Sequence, residues 1–469
     1  MLRTLWIAAG GEERILVNVP DDAFYYFVLA KQHAATGQWT FDGVAPATGF
    51  HLLWAYILST LYRLNDWPLD SLFLLCGLIG SACLAVSAWA MSRVMVEQYN
   101  WTGIWGVLFV LIGQSYFLLP TMAMEAPLVI MFSTLLVYVA SNNRGILLAF
   151  AIGFLGELAR SDFGLVPVSL LIAALLTSQT CANRQCAFAG CCGAVVGLAI
   201  SIGHSYAISG QFIQNSALMK EYWSGLAGHS IVPPLLLLGD VFSLGVGPVG
   251  VTLFLVLGAA AGMHARNSGK GSLLWIASLL ITFGYLALYR YNSQEIQPWY
   301  LASFVIPCTT FCSGAIALLA RTISKSVLIA SVSVLIFLNL AASIRPIWPH
   351  MLLMAKAGKI LHDKQMVVGA WNAGIIGYMN FGRTVNLDGL VNDDIVPHAK
   401  NGTLFEYIRE RKIGTIADFG VMLSEQYRAR GGYADGKLAA CMRVTQTIEL
   451  PGIRPWRGES FRIYQVHCG

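Results

Sequence analysis

The chain has 469 residues, of which 56% are hydrophobic and only 12% charged, with a mean hydropathy of +0.61. That balance excludes an ordinary soluble domain and a disordered chain and predicts a polytopic membrane protein. The net charge of +5 is no nucleic-acid footprint, because Lys and Arg fall singly in short loops between apolar runs.

The first 20 residues hold one apolar run, MLRTLWIAAG, shorter than the roughly 20 residues a spanning helix needs. From Val19 to Trp54 the chain reads VPDDAFYYFVLAKQHAATGQWTFDGVAPATGFHLLW. Asp21 and Asp22 directly precede an aromatic amphipathic helix running to about Ala35 and ended by Gly37. One carboxylate suffices as a helix cap, which leaves the other to be explained. Charges among Phe24, Tyr25, Tyr26, Phe27 and Trp54 suit a membrane headgroup layer. Gly49 to Leu64 is apolar but short for a span and reads as a helix lying on the membrane surface, so residues 19–69 form a first extracytoplasmic loop.

Ten spanning segments are expected, at about 70–92, 102–119, 121–141, 145–158, 163–178, 187–207, 233–262, 271–290, 300–320 and 326–347. With Asp21 outside, every inside loop is basic, carrying Arg93, Arg144, Arg184, Arg266 with Lys270, and Arg321 with Lys325. Residues 1–348 then form the membrane domain. After Trp348 apolar runs shorten to strand length and turn signals such as Asn401-Gly402 recur, predicting an extracytoplasmic α/β domain over 349–469. MVVGAW, GTIADFG and FRIYQVH read as strands, and AGIIGYM and LFEYIRERK as helices. Most cysteines lie in apolar runs and read as packing. Cys441 and Cys468, on strands in an oxidising compartment, are the expected disulfide pair.

Charges beside spanning segments cost about 2.5 to 3.5 kcal/mol each on insertion scales, so those that persist face a cavity or a partner. Glu125, Glu157, Arg160, Asp162, Arg290 and Glu295 all fall at outside ends, level with Asp21 and Asp22. Glu125 either caps its own helix or lines a cavity, and Arg160 with Asp162 is either an interfacial ion pair or part of a site. Arg290 is the first choice for a cationic clamp at the membrane edge, followed by Arg160, Lys220 and His229. Trp223, Trp299 and Tyr300 either stack on sugar, line a lipid entry or simply anchor the chain at the interface, and His51 orients its loop by hydrogen bonding. There is no P-loop, dinucleotide fingerprint or nucleophile elbow.

The ordered set DDAFYYF, TFDG and TGFHLLW resembles the first extracytoplasmic loop of bacterial GT-C-fold glycosyltransferases. These integral membrane enzymes take sugars from polyprenyl-phosphate carriers and include mannosyl-, arabinofuranosyl- and aminoarabinose transferases. Met124-Glu125 and Ala159-Arg160-x-Asp162 fall where that family has Met-Glu and Ala-Arg-x-Asp, and GAWNAGIIGYM followed by NLDGLVND resembles its C-terminal domain. Family members carry a full membrane helix before the acidic pair, a point at which this chain departs.

The resemblance implies a GT-C-like membrane fold and an inverting transfer to a cell-envelope glycan, lipid or protein acceptor on the outer face of a bacterial inner membrane. It implies Asp21 or Asp22 as the base, with Glu125, Arg160 and Asp162 lining the cavity. Some such enzymes use a divalent ion, Mg or Mn, for which Asp21 and Asp22 are the candidate ligands. Two rival readings remain at this stage. One is a lipid-linked-sugar transporter, against which the gathering of polar groups at one face argues. The other is a catalytically silent scaffold, which has no evident reason to keep costly charges at one level.

Overall fold

The computed structural model describes residues 1–467 except 143, 178–179, 241–246, 269, 325, 328–329, 332, 335–336 and 339–344. The N-terminal apolar run folds as two short helices, Leu2–Ala8 and Gly11–Leu16, which pack against the long helix Leu69–Tyr99. Arg3 in the first of them is buried and donates to the Asn18 side chain over 2.7 Å. Pro20, in the extended conformation, starts the Asp21–Thr36 helix, and Gly37, left-handed at φ 76°, stops it. The Leu52–Leu64 helix follows and packs beside it.

Among the described residues five helical stretches are long and apolar enough to cross a membrane: Leu69–Leu111, Cys181–Ser209, Pro248–Ser268, Ser272–Tyr289 and Pro298–Leu319. The chain is therefore a membrane protein. The segments expected at 70–92 and 102–119 merge into the first stretch, joined by a 3-10 turn at Asn100–Thr102. Those expected at 121–141, 145–158 and 163–178 form the shorter helices Ala126–Asn142, Ile146–Ala159 and Leu165–Leu176. The segment at 326–347 falls partly outside the described residues.

Close packing of the Ile146–Ala159 and Cys181–Ser209 helices depends on small residues at their contact. A Cβ at Gly193 would lie 2.0 Å from the Phe150 carbonyl, and one at Gly153 would lie 2.1 Å from the Gly190 carbonyl. With no water to expel between helices in lipid, close backbone approach of this kind is what holds them together.

The strands lie in one five-stranded sheet formed after residue 367. Strands β1 (Val368–Ala370), β2 (Thr384–Asn386), β3 (Thr415–Phe419), β4 (Met442–Ile448) and β5 (Phe461–Val466) are ordered β2-β1-β3-β5-β4. The first three run parallel, and β5 pairs antiparallel with both β3 and β4. The helix Gly374–Met379 connects β1 to β2, as a parallel pair requires. Gly402 (φ 71°) ends the Ile395–Asn401 helix, so Asn401-Gly402 is a turn. Cys441 closes the Lys437–Cys441 helix instead of opening β4, and it is disulfide-bonded. Cys468 lies outside the described residues.

The sheet region does not stand apart. The Asn215–Ala227 helix places Met219 and Trp223 in the same buried cluster as Trp371, Leu387 and Ile416 of the sheet region. Asp393 accepts from both the amide and the hydroxyl of Thr48 (3.0 and 2.8 Å), and Arg411 pairs with Asp42 at 2.5 Å. The middle of the first loop is thus bound to the C-terminal region through Asp42 and Thr48.

Candidate functional site

The two adjacent carboxylates at the start of the Asp21–Thr36 helix point to different surroundings. Asp21 is buried and accepts the amide of Gly374 at Oδ2 (3.0 Å) and that of Ile375 at Oδ1 (2.7 Å). It therefore satisfies the free N–H groups opening a helix that lies 353 residues away in sequence. A Cβ on Gly374 would sit 2.2 Å from the Asp21 carbonyl, so glycine is needed for this approach. Asp22, half-buried, stands in the wall of an open space.

That space consists of two neighbouring cavities that share Asp22, Tyr25, Lys220 and Leu390 in their walls. The first, about 530 Å³, is also lined by His51, Glu125, Arg160, Trp299 and Tyr300. Arg160 is held there on all sides. Its Nε lies 3.3 Å from Asp162, it donates to the Tyr289 hydroxyl (3.0 Å) and the Trp299 carbonyl (3.4 Å), and its guanidinium stacks 4.4 Å from the Tyr300 ring centre. Lys220 donates to the Tyr300 hydroxyl over 3.2 Å, so two cations share one aromatic ring. Glu125 is buried, and among the described residues its Oε2 has no hydrogen-bond partner. His51 Nε2 lies 3.9 Å from Glu125 Oε1. Burial, with Arg160 and Lys220 adding repulsion, pushes the imidazole down to about 3, so His51 is neutral and this contact is not an ion pair.

The second cavity, about 920 Å³, runs from Asp21, Asp22 and Asp388 towards Trp223, Arg430, Tyr427, Trp456 and Arg457. Asp388 accepts the Leu390 amide at Oδ1 (2.7 Å), and its Oδ2 lies 3.3 Å from the Tyr25 hydroxyl. The same hydroxyl accepts the Ala373 amide at 3.1 Å. Asp418, at the end of β3, gathers the amides of Trp371, Asn372 and Phe419 and the Asn372 side chain at 2.7–2.9 Å. Burial pushes Asp21 and Asp388 up to about 7, with repulsion from Asp22 adding to both, and burial pushes Asp418 up to about 6.

Of the residues expected from the sequence, Asp21, Asp22, His51, Glu125, Arg160, Asp162, Lys220, Trp299 and Tyr300 come together at or beside the two cavities. Arg290 does not. It is exposed at the end of the Ser272–Tyr289 helix and lines neither cavity, whereas Arg160 and Lys220 both line the first. Sequence reasoning missed Asp388, Asp418, Arg430, Trp456 and Arg457. Asp388 lies within the NLDGLVND stretch already singled out, and the aromatic-basic RPWRG run was the available signal for the last two.

Among the described residues no three His, Cys, Asp or Glu side chains converge on a point where they would hold a metal ion. Each Asp21 oxygen already accepts a backbone N–H.

Charged side chains gathered at one end of an apolar helical body, under a small mixed sheet, define a GT-C-type membrane fold. Comparison with solved structures agrees. The archaeal oligosaccharyltransferase AglB from Archaeoglobus fulgidus, in complex with an inhibitory peptide and a dolichol-phosphate, superposes with a TM-score of 0.54 at 10% identity, covering 90% of this chain and 68% of that one. The apo form of the A. fulgidus oligosaccharyltransferase gives 0.53 at 11% over 90% and 68%, and its complex with Zn and sulfate gives 0.51 at 12% over 89% and 66%. The chain thus spans about two thirds of the length of these structures, and at this identity the likeness is one of fold. No protein-family model matches the sequence, and no curated protein matches it.

Proposed function

We propose that this protein is an inverting glycosyltransferase that moves a sugar from a polyprenyl-phosphate donor to a cell-envelope glycan or lipid acceptor. The reaction runs on the outer face of a bacterial inner membrane. In this reading ten segments cross the bilayer, with basic inside loops and an extracytoplasmic α/β domain over 349–469. Leu69–Leu111 supplies two of them, Ala126–Asn142, Ile146–Ala159 and Leu165–Leu176 three, the four other long apolar stretches one each, and the tenth lies partly outside the described residues. The observation that carries the reading is the position of Asp22, in the wall shared by a cavity holding Arg160 and Lys220 and a cavity beside the sheet.

In this reading the first cavity takes the donor. Attack by an acceptor hydroxyl forms the new bond to the anomeric carbon while the bond from that carbon to the phosphate oxygen breaks. Asp22 takes the hydroxyl proton, and the lipid phosphate leaves with one more negative charge, balanced by Arg160 and Lys220. Attack from the face opposite the phosphate inverts the anomeric centre. Glu125, with an unpartnered oxygen, and neutral His51 offer hydrogen bonds to sugar hydroxyls. Asp21 is a positioning residue that fixes the helix of the sheet region against the base. The dolichol-phosphate bound by the archaeal enzyme of the same fold supports a lipid-phosphate donor here.

The test is sugar transfer by purified protein with a panel of polyprenyl-phosphate sugars and a membrane glycolipid extract. Wild type should turn over at least one donor, and Asp22→Asn should lose about 100-fold or more in kcat, the lower end of what a general base contributes. Asp21→Asn should lose less and do so together with thermal stability. Absence of turnover with every donor, or full activity in Asp22→Asn, would overturn the proposal.

A further inference from the structure

The sheet region has a crevice of its own that the transfer chemistry leaves unused. The connection after β1 goes to β2 on one side, and the connection after β2 returns across β1 to β3 on the other, which makes the β1-β3 pair a switch point. In open parallel sheets, ligands bind outside the carboxyl ends of the strands at such a point. Here Asp418, near the end of β3, fixes the two strand ends by accepting the amides of Trp371 and Asn372 just after β1. Asn372 and Phe419, one from each strand end, stand in the wall of a third cavity of about 580 Å³.

Five rings reach that wall: Trp299, Trp348, His350, Phe419 and Trp456. Phe419 is buried and braces two half-buried rings, its centre 5.9 Å from that of His350 and 5.7 Å from that of Trp456, and these two lie 23° from parallel. Burial lowers the His350 imidazole below its ordinary range and keeps it neutral. Asp418 also holds the Asn372 side-chain nitrogen at 2.8 Å, which sets the plane of that amide and leaves its oxygen as an acceptor. Gln297 brings a second amide. Among the described residues no Lys or Arg lines this cavity, whereas Asp21 and Asp22 do.

Ring faces suit the apolar faces of pyranose rings, and amides both give hydrogen bonds to sugar hydroxyls and accept from them. An anionic ligand would meet two carboxylates and no cation. We propose that the third cavity is the acceptor subsite and that it takes an uncharged saccharide. Its role as acceptor site rests on the reading of Asp22 as the base and of the first cavity as the donor site, because the first and third cavities share Asp22 and Trp299. A saccharide lying along the rings reaches Asp22 where the two cavities meet.

The test is calorimetric binding by the full-length protein in detergent, with no donor present. The probes are three neutral tetrasaccharides, each paired with its uronate: β-1,4-glucan, β-1,4-mannan and α-1,4-galactan. The expected result is that at least one neutral member binds, tenfold or more tightly than its uronate, with an affinity that added salt leaves unchanged. Trp456→Ala should weaken that binding tenfold or more. Gln297→Ala, at a half-buried loop position, should weaken it threefold or more, and it keeps the test readable where Trp456→Ala does not fold. Failure of all three neutral probes to bind, a uronate that matches its neutral partner, or wild-type affinity in Gln297→Ala would overturn the proposal. Binding is read without turnover. A protein that transfers sugar but binds no neutral probe sinks only this proposal, and one that binds them but transfers nothing sinks only the catalytic reading.

Discussion

Asp388 is the residue whose burial has the most direct consequence for stability. Its carboxyl is held up at about 7 by burial and by the charges of Asp22 and Asp21, against an ordinary value of 3.8. The folded state therefore keeps a proton that the unfolded state gives up. Stability from this group is fully present below pH 4 and is lost as the pH rises through 7, worth on the order of 4 kcal/mol for one carboxyl. Asn at 388 keeps an oxygen for the Leu390 amide and puts a donor towards the Tyr25 hydroxyl. Asp388→Asn should thus match wild type in melting temperature near pH 4 to 5 and exceed it at pH 8, a difference that thermal unfolding across that range would read. A wild-type melting temperature that rises over the same interval would contradict the burial argument. The pair Asp21-Asp22 was legible in the sequence because two carboxylates stood where one cap was needed. The division of labour between them was not, since it depends on Gly374 and Ile375, which only the fold brings within 3 Å. For Arg290 the sequence placed the residue at a helix end but could not show which side of that end it faces, and it lines neither cavity.

Among the elements, apolar runs announced the helices, while their lengths and breaks depended on neighbours. The run expected to end at 92 continues as helix to Tyr99, and the one expected at 300–320 begins as a 3-10 segment at Pro298 before becoming α-helical at Val305. The Cys181–Ser209 helix offers a controlled test of how such elements are held. Gly193 faces the Phe150 carbonyl so closely that a methyl group cannot enter without separating the helices, whereas a Cβ on Gly203, ten residues on, meets nothing within 4 Å. Gly193→Ala should destabilise by about 1 to 3 kcal/mol through overpacking, and Gly203→Ala should be neutral or stabilising by up to about 1 kcal/mol through helix propensity. Melting temperatures of the two variants in one detergent check this. Equal effects would mean that the interhelical contact is not close-packed as described.

For the molecule as a whole, the site lies at one end of the helical body, where first loop, helix ends and sheet region meet, and sidedness follows from locating that end. The Cys181–Ser209 helix has 29 residues and is therefore about 43 Å long at 1.5 Å per residue, enough to cross a bilayer core. Just beyond its C-terminal end, Gln214 donates to the Phe50 carbonyl, and Asn215 donates to the Thr48 hydroxyl, which ties that end to the site. Its N-terminal end, beside Arg184, carries Cys181, an exposed free thiol. With a basic loop at the end remote from the site, the proposed topology expects Cys181 in the cytoplasm by the positive-inside rule. A membrane-impermeant maleimide should therefore spare Cys181 in intact cells and modify it in inverted vesicles. A cysteine introduced at exposed Asn401, in the sheet region, should show the reverse. Cys191 and Cys192, free thiols further into the same helix, are expected at bilayer depth and should stay silent from both sides, which makes them internal controls. Labelling of both positions from the same side would break the link between the long helix and the membrane. Labelling of Cys181 only in intact cells would turn the enzyme over, placing the acidic pair on the cytoplasmic face, where a sugar nucleotide would replace the polyprenyl-phosphate as the natural donor.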